Sequence, residues 1–198
     1  MQIEIWFRPL VWMDYRLAVL FAVIVPLILL LWAVVQKVEP IQRLLMIYWR
    51  VASLLAIALY LMIAALPVGF LAGFLARILI PLSLWFWVDL NEEIEDRPPG
   101  ALKLTLTSWR WAITVYSTLG VLAQLPFLQC AVSTTAFDSQ FCRVWLEPPS
   151  LFAYYIHPNS KPAFLGFLGI VGLIIYALSF IYFVLVKLGK QGRSAIQQ

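Results

Sequence analysis

Charge is what this sequence has least of. Of its 198 residues, 14 are lysine or arginine and 10 are aspartate or glutamate, 12% together, against 63% hydrophobic residues. A water-soluble domain of this length needs far more polar surface, so lipid is the solvent expected for most of the chain. Histidine occurs once and cysteine twice. The single histidine, His157, falls in a loop with Pro158 and Asn159, where a lone imidazole is ordinarily a surface residue and cannot by itself build a metal site or a histidine relay. No G-x-S-x-G, Walker A, H-E-x-x-H or G-x-G-x-x-G occurs, which removes the serine-hydrolase, P-loop, zincin and dinucleotide classes that depend on them. No cofactor, metal site or catalytic residue is expected. Lysine- and arginine-rich blocks are also missing, so the net charge of +4 reads as anchoring at an anionic lipid surface and not as nucleic-acid binding.

What the chain does have is long apolar runs, and a mean hydropathy of +0.90. Five of them, Leu17–Val35, Leu44–Leu66, Val68–Val88, Trp111–Cys130 and Phe164–Val186, are each near the ~20 residues that cross ~30 Å of hydrocarbon as a helix. Backbone groups in lipid must be satisfied internally, so the fold expected is an all-α polytopic membrane bundle of five transmembrane helices. No polar stretch is long enough for a separate soluble core, and residues 1–198 read as one integral membrane domain. An alternative has four spans plus an interfacial helix, because Arg8 and Arg16 precede the first run and the charge difference across it is slight. Residues 3–13, with Trp6 and Trp12, would then lie at headgroup level. Trp32-Ala33-Val34-Val35-Gln36 lacks a small-x-small cleavage pattern, so the first run is expected to remain as an anchor. Only Pro67 separates the second and third runs, predicting a tight hairpin with Gly69.

Five spans put Arg8, Arg16, Arg143 and Lys161 on one face. Lys37, Arg43, Arg50, Arg97, Lys103, Arg110, Lys187, Lys190 and Arg193 fall on the other. The positive-inside rule makes the second face cytoplasmic, with the C-terminus inside and the N-terminus and cysteine loop lumenal or periplasmic. Trp32, Tyr48, Trp49, Trp85, Trp87, Trp109 and Trp111 gather near the same inner ends, where amphipathic rings sit at headgroup level.

Three features stand out against this background. Arg77, near the middle of the third run, costs ~2.5–3.5 kcal/mol to insert on translocon scales. Gly69, Gly73 and Arg77 share an i, i+4, i+8 stripe, which reads as a close-packing surface with a buried cation, a docking point for an anionic group or a partner subunit's carboxylate. The plainer reading is a structural arginine that clamps the bundle or snorkels. No acidic residue falls within a predicted span, which leaves Ser53, Tyr60, Gln124 and the carbonyl freed by Pro81 as internal partners. The second feature is Asp89, Glu92, Glu93 and Asp96, one face of a helix that would run on from the third span until Pro98. Carboxylates so spaced can hold Mg²⁺ against a diphosphate. They have some likeness to the first aspartate-rich motif of membrane prenyltransferases, but no second such motif occurs, and a solvated acidic surface explains them as well. The third is Cys130 and Cys142, flanking a polar loop on the face assigned to an oxidising compartment, where a disulfide is expected. Gly166, Gly169 and Gly172 form a small-residue edge on the fifth span, expected to pack against a neighbouring helix.

Several segments together resemble an uncharacterised family of cyanobacterial integral membrane proteins classed under a domain of unknown function. They are Ile5-Trp6-Phe7-Arg8-Pro9-Leu10-Val11-Trp12 with Asp14-Tyr15-Arg16, Tyr48-Trp49-Arg50-Val51-Ala52, Leu84-Trp85-Phe86-Trp87-Val88-Asp89-Leu90-Asn91-Glu92-Glu93, Cys142-Arg143-Val144-Trp145-Leu146-Glu147-Pro148-Pro149 and Leu188-Gly189-Lys190-Gln191-Gly192-Arg193. The resemblance implies a photosynthetic bacterium and a thylakoid or plasma membrane, and it carries over no catalytic residue. The function expected is non-enzymatic: an accessory or assembly factor in contact with the lipid bilayer and with other subunits of a photosynthetic-membrane complex. The alternatives are a Mg²⁺-dependent lipid-diphosphate enzyme and a small anion carrier or channel.

Overall fold

The computed structural model describes residues 6–188. Residues 1–5 and 189–198, with Ile5, Lys190 and Arg193, lie outside that range. Among the described residues there is no strand, and five helices are long and apolar enough to cross a membrane. These are α1 (Arg8–Val35), α2 (Glu39–Ile63), α3 (Val68–Trp85), α5 (Ala101–Gln124, continued by short turns to Val132) and α7 (Pro162–Tyr182, continued to Val186). Among the described residues, the shorter helices of two turns or more between them are α4 (Val88–Glu95) and α6 (Glu147–Ile156). Proline near the first turn sets the start of α1, α2, α6 and α7, where its missing N–H costs nothing and its φ suits the helix.

The first span departs most from the sequence reading. No separate interfacial helix precedes it within the described residues: one helix runs from Arg8 through Asp14 and Arg16 to Val35. It widens into a π-helical turn over Val19–Ile24, and Pro26 explains what happens there. A proline cannot donate to the carbonyl four residues back, so Ala22 O loses its helical partner and accepts instead from the Tyr48 hydroxyl at 2.7 Å. Val25 N–H has shifted to Leu20 O, and the neighbouring carbonyl, Phe21 O, accepts from Trp109 Nε1 at 2.8 Å. Tyr48 is fully buried; its ring meets Trp109 edge-on at 5.0 Å. Two rings that composition assigns to the headgroup belt thus fasten α1 to α2 and α5.

The hairpin between α2 and α3 also differs. Its left-handed residue is Ala65, with φ 53°, and Leu66 N–H to Leu61 O and Ala65 N–H to Met62 O close a Schellman turn. Gly69 stands past the turn, inside α3. An identical closure at Lys37, φ 55°, ends α1.

The third span does not run on into the acidic segment. The chain breaks after Trp85, Trp87 is extended, and α4 begins afresh at Val88. Arg110 and Asn91 hold this break. Arg110 Nη2 donates to Leu84 O and to Asn91 Oδ1, both at 2.7 Å, and Asn91 Nδ2 donates to Trp85 O at 3.2 Å. The guanidinium also lies 4.0 Å above the Trp85 ring. A cation at a helix C-terminus satisfies orphan carbonyls and complements the dipole; Arg110, counted by sequence among the surface charges, is a buried cap.

The main core lies at this α4 end, where Ile41, Leu44, Leu45, Leu84, Leu90, Leu106 and Ile113 are almost wholly buried. At the opposite end Cys130 and Cys142 are joined by a disulfide with Cα atoms 5.8 Å apart. The segment between them folds into single-turn helices over Thr134–Phe137 and Gln140–Arg143. The bridge is fully buried, beside a cluster in which Phe127 stacks on Phe141 at 4.3 Å and Phe7 and Trp145 meet Phe127 edge-on. His157, read from sequence as a surface residue, is half-buried: its Nε2 shares a 2.8 Å hydrogen bond with the Tyr60 hydroxyl.

Candidate functional site

The intramembrane charge is the natural place to look for function, since ionisable side chains at that depth are costly and kept for a purpose. Arg77 is the tenth residue of α3, only 7% exposed. Helical side chains lean toward the N-terminus, so Arg77 reaches back toward the disulfide end. There it meets Asp14 of α1, donating from Nη2 to Oδ2 at 2.5 Å. The Tyr116 hydroxyl of α5 donates to Asp14 Oδ1 at 2.9 Å and approaches Asp14 O at 3.0 Å. The same ring lies under the Arg77 guanidinium, 5.3 Å from its centroid.

Asp14 is the partner that sequence reading missed. It stands three residues before the predicted start of the first span, and the true helix already includes it. A signal was available: an arginine inside a bilayer calls for a counter-charge, and Asp14 is the carboxylate closest to a span on the disulfide side. The partners inferred instead are engaged elsewhere or offset. Ser53 Oγ donates to Arg50 O, and Tyr60 is bonded to His157. Gln124 lies beside Gly73, its Nε2 4.0 Å from where a Cβ would be.

The glycine stripe packs inside this chain. A Cβ on Gly69 would come within 2.8 Å of Met62 Cγ, and one on Gly73 would touch Ala58, so both serve the α2–α3 contact. The glycine that makes room for Arg77 is Gly120 of α5, where a Cβ would overlap Nη1 of the guanidinium. Next to it on the same helix are Ser117 and Gln124, both buried. Arg77 Nη1, Ser117 Oγ and Gln124 Oε1 have no hydrogen-bond partner among the described residues.

Gly120→Ala is therefore expected to displace the guanidinium and to destabilise the bundle by ~1–3 kcal/mol, the usual cost of overpacking. The same change in an Arg77→Met background should cost clearly less. Thermal melts of the two pairs in one detergent decide it; equal costs would mean that Gly120 opposes something other than Arg77.

The chemistry available to this cluster is narrow. Arginine and aspartate cancel one another in lipid, tyrosine bridges them, and three helices are joined at one point. The acidic residues lie far from it at the α4 end. There α4 buries Leu90 and Ile94 and turns Glu92, Glu93 and Asp96 outward, with Asp89 half-buried. Among the described residues no group of three or more His, Cys, Asp or Glu is placed to hold a metal ion. Glu92, Glu93 and Asp96 form no ion pair within the described residues, and Lys103 donates to the carbonyls of Glu95 and Arg97, not to their neighbours' carboxylates.

Fold and site together define a polytopic helical membrane protein whose intramembrane charge is neutralised within its own chain. The chain belongs to the family described as "Protein of unknown function (DUF3177)", which matches residues 8–196. No curated protein and no solved structure matches it.

Proposed function

We propose that this protein is a non-enzymatic accessory or assembly factor that works by contact with other subunits of a membrane complex. The observation that carries this reading is the closure of Arg77 on Asp14 and Tyr116. A cation with its own counter-ion, held on three helices, is a clamp; it leaves no free positive charge at that point for an anion to use. The carboxylates of α4 are spread over an outward face, which supports a contact surface better than a Mg²⁺–diphosphate site.

The contact proposed is the face formed by Asp89, Glu92, Glu93 and Asp96, which by the positive-inside rule is cytoplasmic. The photosynthetic membrane as its setting rests on the family resemblance of the sequence segments. With thylakoid orientation, the disulfide end faces the lumen, an oxidising compartment that favours the bridge.

The test is affinity recovery of tagged full-length protein from mild detergent, resolved on a native gel and identified by mass spectrometry. Stoichiometric membrane-complex subunits are expected with the wild type and should fall several-fold in Glu92→Lys/Glu93→Lys, with membrane insertion unchanged. Recovery as a monomer or homo-oligomer from native membranes overturns the accessory reading and returns transport or lipid-diphosphate chemistry to first place.

A further inference from the structure

α7 touches the bundle closely over only half its length. A Cβ on Gly166 would overlap Ala64, one on Gly169 would come within 3.0 Å of Leu61 N, and one on Gly172 within 3.3 Å of Ile57 Cγ1, so the two backbones nearly meet. After Gly172 the helix presents Ile175, Tyr176, Ser179 and Phe180 instead, and a groove of about 800 Å³ opens between α2, α3 and α7. This volume falls within the ~300–1,000 Å³ usual for small-molecule sites. Phe183 packs against Trp87, 5.9 Å between ring centroids, and Val184 and Leu188 carry the lining on toward the α4 end. From Gly172 to Leu188 a helix rises about 24 Å, short of the ~30 Å hydrocarbon thickness.

The walls are apolar, with Ile47, Val51, Leu79 and Leu82 facing the α7 residues. The hydroxyls of Ser53 and Ser83 are already bonded to their own helix, at Arg50 O and Ile80 O. Among the described residues one charged side chain lines the groove, Arg50. It is exposed and forms no ion pair among the described residues, unlike Arg77, which pairs with Asp14, and it has no buried carbonyls to cap, unlike Arg110. Its position on α2 tilts the side chain toward that helix's N-terminus, which is the α4 end, so the guanidinium snorkels toward headgroup depth.

We propose that this groove binds one anionic glycerophospholipid from the leaflet at the α4 end, its phosphate on Arg50 and an acyl chain between α3 and α7. Charge complementarity selects the headgroup: the guanidinium can bond a phosphate oxygen of any glycerophospholipid, but an unpaired cation at that depth favours one whose net charge is negative over one whose phosphate is neutralised by choline. Length selects a lipid over a partner's transmembrane helix. A helix seated here needs a groove that runs the full depth of the bilayer, and the Gly166–Gly172 contact closes this one before the disulfide end.

The test uses full-length protein in mixed bicelles of equal phosphatidylglycerol and phosphatidylcholine, exchanged into detergent, with retained lipid counted by native mass spectrometry. Wild type should retain about one phosphatidylglycerol per chain and favour it over phosphatidylcholine by about fivefold, the scale of one basic residue's attraction to an anionic headgroup. Arg50→Gln should bring that ratio near one without moving the melting temperature. Ser179→Trp, which fills the groove, should lower retention of both lipids. Equal retention by the wild type, or an unchanged ratio in Arg50→Gln, overturns the proposal. Displacement of phosphatidylglycerol by millimolar inorganic phosphate overturns the lipid assignment in favour of a free-phosphate site.

Discussion

Asp14→Leu or Arg77→Met alone is expected to destabilise the folded bundle by about 3–5 kcal/mol, whereas the two combined should recover most of that loss. Each single change strands one charge in a place built for two. Arg77 is 7% exposed, and Asp14 takes both its guanidinium and the Tyr116 hydroxyl. Removing both charges and keeping the volume removes the desolvation cost along with the attraction, which is why the double variant should lie closer to the wild type than either single one. Reversible unfolding of the four proteins in one detergent forms a double-mutant cycle. A coupling of several kcal/mol identifies a clamp. Additive effects, or a single variant within ~0.5 kcal/mol of wild type, would show that Asp14 and Arg77 do not depend on one another. Tyr116→Phe should be much milder, ~1–2 kcal/mol, since the ion pair survives and one hydrogen bond is lost.

The second large effect belongs to the other end of the molecule. Breaking the Cys130–Cys142 bridge, with a sequence separation of 12, is expected to cost ~3 kcal/mol on the loop-entropy account. Its consequence should be local. The bridge sits beside Phe70, Phe127, Phe137, Phe141 and Trp145, and Arg8 and Trp12 of α1 reach into the same cap through Glu147, at 2.9 and 3.2 Å. Cys130→Ala/Cys142→Ala should melt earlier and be cut by added protease within residues 131–146, with the α4 end still protected. Because both sulfurs are wholly buried, reductant should act on the wild type only as fast as the cap opens. A double variant as stable and protease-resistant as the wild type would assign the cap's order to its aromatic packing alone.

How far the sequence could be read depended on which force set each feature. The spans were legible because hydrocarbon thickness imposes a length and a composition that no other environment demands. Arg77 was legible for the same reason, since a charge in an apolar run stands out whatever its partner. Asp14 was not: it lies near a helix start, where sequence alone cannot say whether a carboxylate is at the surface or one turn inside. Gly120 was passed over in favour of Gly69 and Gly73, which share a face with Arg77 along the chain, although the room the guanidinium needs comes from a different helix. Pro26 was visible, but that Tyr48 and Trp109 would answer the carbonyls around it was not, because both rings suit a headgroup belt equally well. Arg110 counted as surface charge on the same grounds, until the α3–α4 break supplied the carbonyls it caps.

By itself, then, the sequence determined the solvent, the number of crossings and the buried cation, all of which follow from transfer free energies of residues taken one run at a time. Only the tertiary structure decided which carboxylate answers Arg77, which glycine makes room for it, and where α7 leaves α2 to open a groove beside Arg50. Those outcomes rest on contacts between residues far apart in the chain, whose energies depend on distances of a few ångströms that no local pattern encodes.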